Sequence, residues 1–269
     1  MKQVKHNLNR FLSLLLAIIM VIGMMPATVF ATETETTTET TWYDADAAEL
    51  VIDSLEELQE FALITQGKHA DFDKDNFKGQ TVKLGADIDL SGTYWFDIAA
   101  DGTVNANYRI VDFAGTFDGQ NHTISNIALR QDLVDGAYGL CLFRTVYGTI
   151  KDLTLDGITA TAVGNASVYV INSIATSNSG RPAEANLVNV HVKNVDVTID
   201  NAESASGYAQ VAGMVRWAGK GTMAKDCTVE NLEATVTGVA AAGGFSAFVA
   251  QTSEFYNCDL TNITLNIAP

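Results

Sequence analysis

The chain has 269 residues, with 32 Asp+Glu against 16 Lys+Arg and a formal net charge of −16. That length suits one solenoid and a short leader, and the acidity argues against nucleic acid as a partner, because a phosphate backbone demands a basic surface. Three cysteines, Cys141, Cys227 and Cys258, are an odd number and do not make a disulfide framework.

Residues 1–31 read as a secretory signal peptide. Lys2, Lys5 and Arg10 supply the charged region, Phe11 to Met25 the apolar one, and Val29-Phe30-Ala31 ends in a small residue suited to cleavage. The apolar run is short of the ~20 residues that span a bilayer, and no comparable run follows, so no membrane span is expected in the mature chain. The leader carries three of the basic residues and none of the acidic ones, which leaves a formal charge of −19 beyond it. Residues 32–44 open with TETETTTETT, a Thr/Glu-rich segment that cannot bury a core and is expected to be a disordered spacer.

Residues 45–110 are expected to form an N-terminal cap and the first strands. Ser54-Leu55-Glu56-Glu57 is a capping box, and Leu55, Leu58, Phe61, Ala62 and Ile64 share one helical face until Gly67. An amphipathic helix at this place would cover the apolar columns and unpaired edges of a first coil. Gln80 to Leu84 and Asp87 to Leu90 read as the first strands, with Gly85 and Gly92 as turns. Trp95, Phe96 and Ile98 are expected to pack this region. Asn105 to Val111 then leads into an aromatic–glycine turn from Phe113 to Gly119.

Residues 111–269 hold five related segments: NHTISNIAL from Asn121, DLTLDGITA from Asp152, NVHVKNVDV from Asn189, DCTVENLEA from Asp226 and NCDLTNITL from Asn257. Their starts are 31, 37, 37 and 31 residues apart, a period that marks a solenoid or array. Each contains two short runs alternating apolar and polar, which is strand rather than helix periodicity. Between the runs lies Asn126, Gly157, Asn194, Asn231 or Asn262, residue types that enter the left-handed region at low cost. A strand, a one-residue bend, a second strand and a long return describe one coil of a right-handed parallel β-helix. Coils stack ~4.8 Å apart, so counterparts lie above one another. Leu155, Val192, Val229 and Leu260 should form one inward column, and Ile158, Val195, Leu232 and Ile263 another. The Asn residues should stack into a ladder. The alternative is a meander of antiparallel hairpins, for which the turns would be closer together.

Cys227 and Cys258 share a repeat position and are expected to stack inside as free thiols, since parallel side chains make awkward bridge geometry. Gly-rich returns at Tyr138-Gly139-Leu140, Ala212-Gly213-Met214 and Gly243-Gly244-Phe245 should begin a third strand, and Asn172 to Asn186 an exposed loop. The chain stops just after a repeat with no visible cap or sorting motif, so a continuation beyond Pro269 is expected.

Three stretches carry a family resemblance: KLGADIDLSGTYWFDI, FAGTFDGQNHTISNIAL and YGLCLFRTVYGTIKDLTL. They resemble the GLUG-motif, pectate-lyase-like β-helix regions of secreted and surface proteins of Gram-positive gut bacteria, over about residues 50–269. The phrase FDGQNHTISNI is the most specific part. The resemblance implies a right-handed parallel β-helix and a role in adhesion or display, and some such proteins carry a peptidase domain elsewhere in the chain. The family's Gly-Leu-x-Gly reads here Gly139-Leu140-Cys141-Leu142, Gly213-Met214-Val215-Arg216 and Gly244-Phe245-Ser246-Ala247, and its Trp-x-Pro-Ile-Gly reads Trp95-Phe96-Asp97-Ile98-Ala99. The return turns are therefore expected to differ in detail. The family supplies no catalytic residues to carry over.

No catalytic constellation is evident in the sequence. There is no His-Glu-x-x-His, and Gly244-Phe245-Ser246-Ala247-Phe248 lacks the last Gly of a nucleophile elbow. His69, His122 and His191 are expected to be surface or packing residues, with His122 at a nominally inward offset. Asp71, Asp73 and Asp75 resemble the start of a calcium loop, but Asn76 and Val82 stand where Gly and Glu belong. An irregular calcium site there is the alternative to a solvated acidic loop; no other cofactor is expected. Asp196 and Glu233 should be outward neighbours on adjacent coils, and are the best carboxylate pair for glycoside or lyase chemistry. Three functions follow from these features: a secreted or cell-surface β-helix binding host glycans or proteins without catalysis, a β-helix carbohydrate-active enzyme, or a stalk for a domain further along the chain.

Overall fold

The computed structural model describes residues 42–134, 138–174, 186–201, 209–219, 221–238, 240–249 and 253–268. Residues 1–31, expected to be a signal peptide, TETETTTETT and most of the Asn172–Asn186 stretch lie outside the described residues. The chain winds into a parallel β-helix, a solenoid of about six turns. One face runs through Glu49–Ile52, Thr81–Leu84, Thr116–Asp118, Thr149–Val163, Asn186–Asp200, Met223–Lys225 and Glu254–Tyr256, each strand parallel to the next. A separate six-stranded sheet, centred on Ala166–Ile174 and Ala209–Ala218, forms the return wall, also parallel. The glycine-rich returns do feed this second sheet. A Cβ on Gly213 would lie 2.2 Å from the Gly244 carbonyl oxygen, so only glycine allows that approach of successive coils.

The repeat segments coil because each of them bends twice. Asn126, Gly157, Asn194, Asn231 and Asn262 have φ between 54 and 75°, as their composition predicts. The first residue of each segment is also left-handed: Asn121, Asp152, Asn189, Asp226 and Asn257 have φ from 49 to 63°. The strand Thr149–Val163 therefore carries two corners, and its buried–exposed alternation is reset at Asp152 and again at Gly157.

Both corners are tied from coil to coil by amides. At the second, Asn262 Nδ2 donates to Asn231 Oδ1 and Asn231 Nδ2 to Asn194 Oδ1, each at 2.9 Å. Gly157 offers no side chain, and Asn194 Nδ2 reaches Asp156 Oδ1 at 2.7 Å instead. At the first corner the residue types alternate Asn, Asp, Asn, Asp, Asn. Asn189 Nδ2 donates to Asp152 Oδ1 at 2.8 Å and Asn257 Nδ2 to Asp226 Oδ1 at 2.7 Å. The alternation sets an amide donor against a carboxylate and never stacks two carboxylates, which would repel.

Inside, like lies over like. Ile124, Leu155, Val192, Val229 and Leu260 are register partners in turn, as are Ile127, Ile158, Val195, Leu232 and Ile263. A third column runs Val82, Phe117, Ile150, Leu187, Ala224, Phe255. All three are buried up to the last coil, where Leu260 becomes 50% exposed. Cys227 is buried and Cys258 half-buried in the coil above it, both unbridged, and burial pushes the Cys227 thiol up to about 12. Cys141 packs with Tyr169 and Ala212 in a small separate cluster.

The helix Leu55–Gln66 forms as its capping box requires. Ser54 Oγ accepts from the Glu57 amide at 3.2 Å, and Glu57 Oε2 accepts at 2.6 Å from Asp53 N rather than from Ser54 N. Gly67 ends it at φ 66°. Phe61 meets Phe77, Phe113 and Phe117 at 4.8, 5.6 and 5.9 Å between ring centroids. Gln66 Nε2 ties the helix to the carbonyls of Asn107 and Arg109.

Three sequence expectations need correction. A strand, Glu49–Ile52, precedes the helix and pairs with Thr81–Leu84, so Gln80–Leu84 is not the first strand. Trp42 and Tyr43 do not belong to a loose spacer: Tyr43 is buried, and Trp42 donates to Glu60 Oε2 at 2.7 Å. The stretch Tyr94–Ile98 and Val104–Asn107 is an antiparallel hairpin turning at Gly102, φ 86°, a local exception to parallel pairing.

Candidate functional site

Asp196 and Glu233 stand side by side as the register places them, in the outward column Ala128, Thr159, Asp196, Glu233, Thr264. Both are exposed, and beside them runs the polar column Thr161, Thr198, Thr235. Among the described residues, neither carboxylate is held by an ion pair, and the strand face carrying them is exposed. General acid–base work needs carboxylates with pKa values set apart by environment and a site that excludes water. Two exposed carboxylates on an open strand are not shielded from water.

Asp71, Asp73 and Asp75 do not converge. Asp75 accepts from Tyr43 Oη at 2.9 Å and from the Phe77 amide at 2.9 Å, which turns it into the aromatic end of the solenoid. Its neighbourhood, with burial first, pushes the Tyr43 hydroxyl up to about 12. Asp71 and Asp73 remain exposed. Among the described residues, no three His, Cys, Asp or Glu side chains are grouped as metal ligands would be.

The histidines sit apart. His122 is not inward: Gln120 and Asn121 are both left-handed, and this double corner swings His122 out to Asp87 Oδ1, 3.0 Å away. The Asp87 carboxyl is held low by the Thr123 amide first and His122 second. His191 lies within the first-corner network. Asn189 Nδ2 is committed to Asp152, so Asn189 Oδ1 must accept, and His191 Nε2 donates to it at 2.8 Å. His191 Nδ1 then accepts from Thr228 Oγ1 at 2.9 Å. Burial, and Lys193 after it, hold His191 below the usual imidazole range, consistent with this neutral tautomer.

A concave feature of the described surface lies elsewhere. A groove of about 420 Å³ follows the solenoid axis where the return wall meets the first face. Thr81, Thr116 and Thr149 line it in register, one from each of three successive coils. Tyr147 and the loop residues Asn76 and Lys78 also line it. Gly115 and Gly148 make its backbone approach possible. A Cβ on Gly148 would lie 1.9 Å from the Gly115 oxygen, and one on Gly115 2.4 Å from the Phe77 oxygen. Gln80, also in the wall, spends its amide on the carbonyls of Asp44, Ala45 and Ala47 and so fixes the loop's position. Sequence reasoning missed this groove. The available signal was the recurrence of Gly-Thr-apolar at Gly115-Thr116-Phe117 and Gly148-Thr149-Ile150.

Two part-buried ion pairs, each a buried carboxylate with a partly exposed cation, lie on the surface. Arg130 clasps Asp97 through Nε at 2.7 Å and Nη2 at 3.0 Å, with its guanidinium over the Tyr94 ring. Lys151 pairs with Asp118 at 2.5 Å. For both carboxyls burial pushes upward, but the cation's hydrogen bond and the others received outweigh it, and the net shift is down. These are charges satisfied in place, a structural arrangement rather than a reactive one.

Fold and site together define a parallel β-solenoid with amide-laddered corners and a polar groove along its axis. Comparison with protein-family models, with curated proteins and with solved structures finds no match to the chain. Among the described residues, no helix is long and apolar enough to cross a membrane.

Proposed function

We propose that this chain is a secreted or cell-surface display protein that binds host glycans or proteins without catalysis. The observation that carries it is the contrast between the two polar surfaces. The carboxylates best placed for chemistry are exposed and unsupported, whereas the groove described above is lined by threonine hydroxyls, two amides, a lysine and a tyrosine. Export rests on residues 1–31, and display on the resemblance of residues 50–269 to GLUG-motif surface proteins of Gram-positive bacteria. The helix Leu55–Gln66 serves as the N-terminal cap, with Phe61 closing the apolar columns. Binding of this kind requires no cofactor and leaves nucleic acid out as a partner on charge grounds.

A glycan array and host-protein capture, run beside turnover assays on pectins and host polysaccharides, test the proposal. Retention without turnover is expected. Cleavage of any polysaccharide that Asp196→Asn or Glu233→Gln abolishes would replace the proposal with the enzymatic alternative, for which the adjacency of those two residues is the one supporting observation.

A further inference from the structure

We infer that the groove over Thr81, Thr116 and Thr149 takes a neutral polysaccharide chain, extended along the solenoid axis. The inference rests on the binding function proposed above and names its site and ligand class. The groove's volume, about 420 Å³, falls within the range of small-ligand sites, roughly 300–1,000 Å³. Its polar groups are not scattered. Thr81, Thr116 and Thr149 are consecutive register partners, and Asn186 continues the column on the next coil. Successive rungs are ~4.8 Å apart, close to the length of one pyranose unit in an extended β-linked chain. A ligand with one set of hydroxyls per sugar therefore meets one protein hydroxyl per coil. Threonine hydroxyls both donate and accept, as sugar hydroxyls do, so either partner can supply the proton.

Tyr147 supplies the other half of saccharide recognition. Its ring is half-buried in the wall, and its backbone is fixed by the amide's bond to the Phe113 carbonyl at 2.7 Å. A tyrosine ring in this wall can stack on the apolar C–H face of a sugar while its hydroxyl stays in the polar layer. The glycines at 115 and 148 let the backbones of successive coils come close together in the groove wall. Asn76 and Lys78 at the rim add donors for ring substituents.

Charge selects the class of sugar. Among the described residues lining the groove, none is a carboxylate and Lys78 is the one charge, in a chain with twice as many acidic as basic residues. A neutral chain meets no penalty in that wall. A polyuronate would have to approach against the field of the whole molecule, with one lysine in its favour.

The test is titration calorimetry of the full chain with cellohexaose, xylohexaose, mannohexaose and polygalacturonate, at low and moderate salt. At least one neutral hexasaccharide should bind, with little salt dependence. Tyr147→Ala should weaken it at least about fivefold, and Thr116→Val, which keeps the strand and removes one hydroxyl, about three- to tenfold. Thr161→Val, on another face, should leave it unchanged. If Tyr147→Ala does not fold, Tyr147→Phe, which keeps the ring, should retain most of the affinity, and Thr116→Val decides. Saccharide binding insensitive to Tyr147→Ala and Thr116→Val overturns the groove and leaves the proposed function standing. Tighter binding of polygalacturonate than of every neutral probe overturns the ligand class. Capture of a host protein with no saccharide bound overturns the inference alone, and binding of neither removes the proposed function with it.

Discussion

The first and the last described coils are built to the same inward pattern and differ in burial. At the first coils, Phe61 from the helix lies on Phe77, Phe113 and Phe117, and all four rings are fully buried. At the last coil, Leu260 is 50% and Ile267 49% exposed, although their register partners one coil earlier, Val229 and Val236, are fully buried. The residue types hardly change; the burial does. An inward column in a stacked solenoid is stabilised by the coil on each side, and a position is worth what its neighbours bury.

The largest effect should come from the covered end. Phe61→Ala is expected to destabilise the chain by about 3–5 kcal/mol, read from the denaturant midpoint. A loss no larger than that of Leu260→Ala would break the contrast and the capping role given to the helix. Next, Leu155→Ala and Leu260→Ala remove the same side chain from one column. About 2–5 kcal/mol is expected for the first and under about 1 kcal/mol for the second, and equal losses would mean that the last coil is covered in solution.

The corners sharpen the comparison along the stack. Asn231 is left-handed and bonded to Asn194 and Asn262. Asn231→Ala should cost more than Asn231→Gly by about 1–2 kcal/mol, because only the alanine pays the left-handed penalty. A regular strand position would show the reverse order, since glycine is the weaker strand former.

Acid should act in two windows. Asp97 and Asp118 have folded pKa values below the ordinary ~3.9. Their contribution is therefore present above that value and lost as pH falls through the folded one. His191, also shifted down, contributes above its ordinary ~6.5 and loses that contribution as pH falls through the lower folded value. The smallest expected effect is thus a shallow loss of melting temperature from pH 7 toward pH 5 that His191→Gln abolishes. A slope unchanged in that variant would exclude His191 as its source.

Much of this fold was legible because the repeat forces it. The alternation in NVHVKNVDV and its relatives fixed which residues face inward, and Asn or Gly at the sixth place fixed a bend. The first corner was equally written, as Asn or Asp at every first place. It is harder to recognise because Asp enters the left-handed region less readily than Gly, and because its partner lies one coil away in the chain. The hairpin around Gly102 announced itself as Asp101-Gly102, the residue pair that favours tight hairpin turns, within a stretch read only as packing. His122 looked inward because counting from the repeat assumes one corner residue where the chain places two, Gln120 and Asn121. The groove was the least legible. Its wall joins residues from three coils and a loop, and only stacking shows that Thr81, Thr116 and Thr149 share a line.

The stacking itself is open to direct measurement. Ala128, Thr159, Asp196, Glu233 and Thr264 are successive register partners, so the first and last stand four coils apart. Spin labels at Ala128→Cys and Thr264→Cys, in a background with Cys141, Cys227 and Cys258 replaced by alanine, should report backbones about 19 Å apart in pulsed dipolar spectroscopy. A narrow distribution at that distance is the expected result. A separation well outside it, or several distances of similar weight, would contradict a column of coils in register.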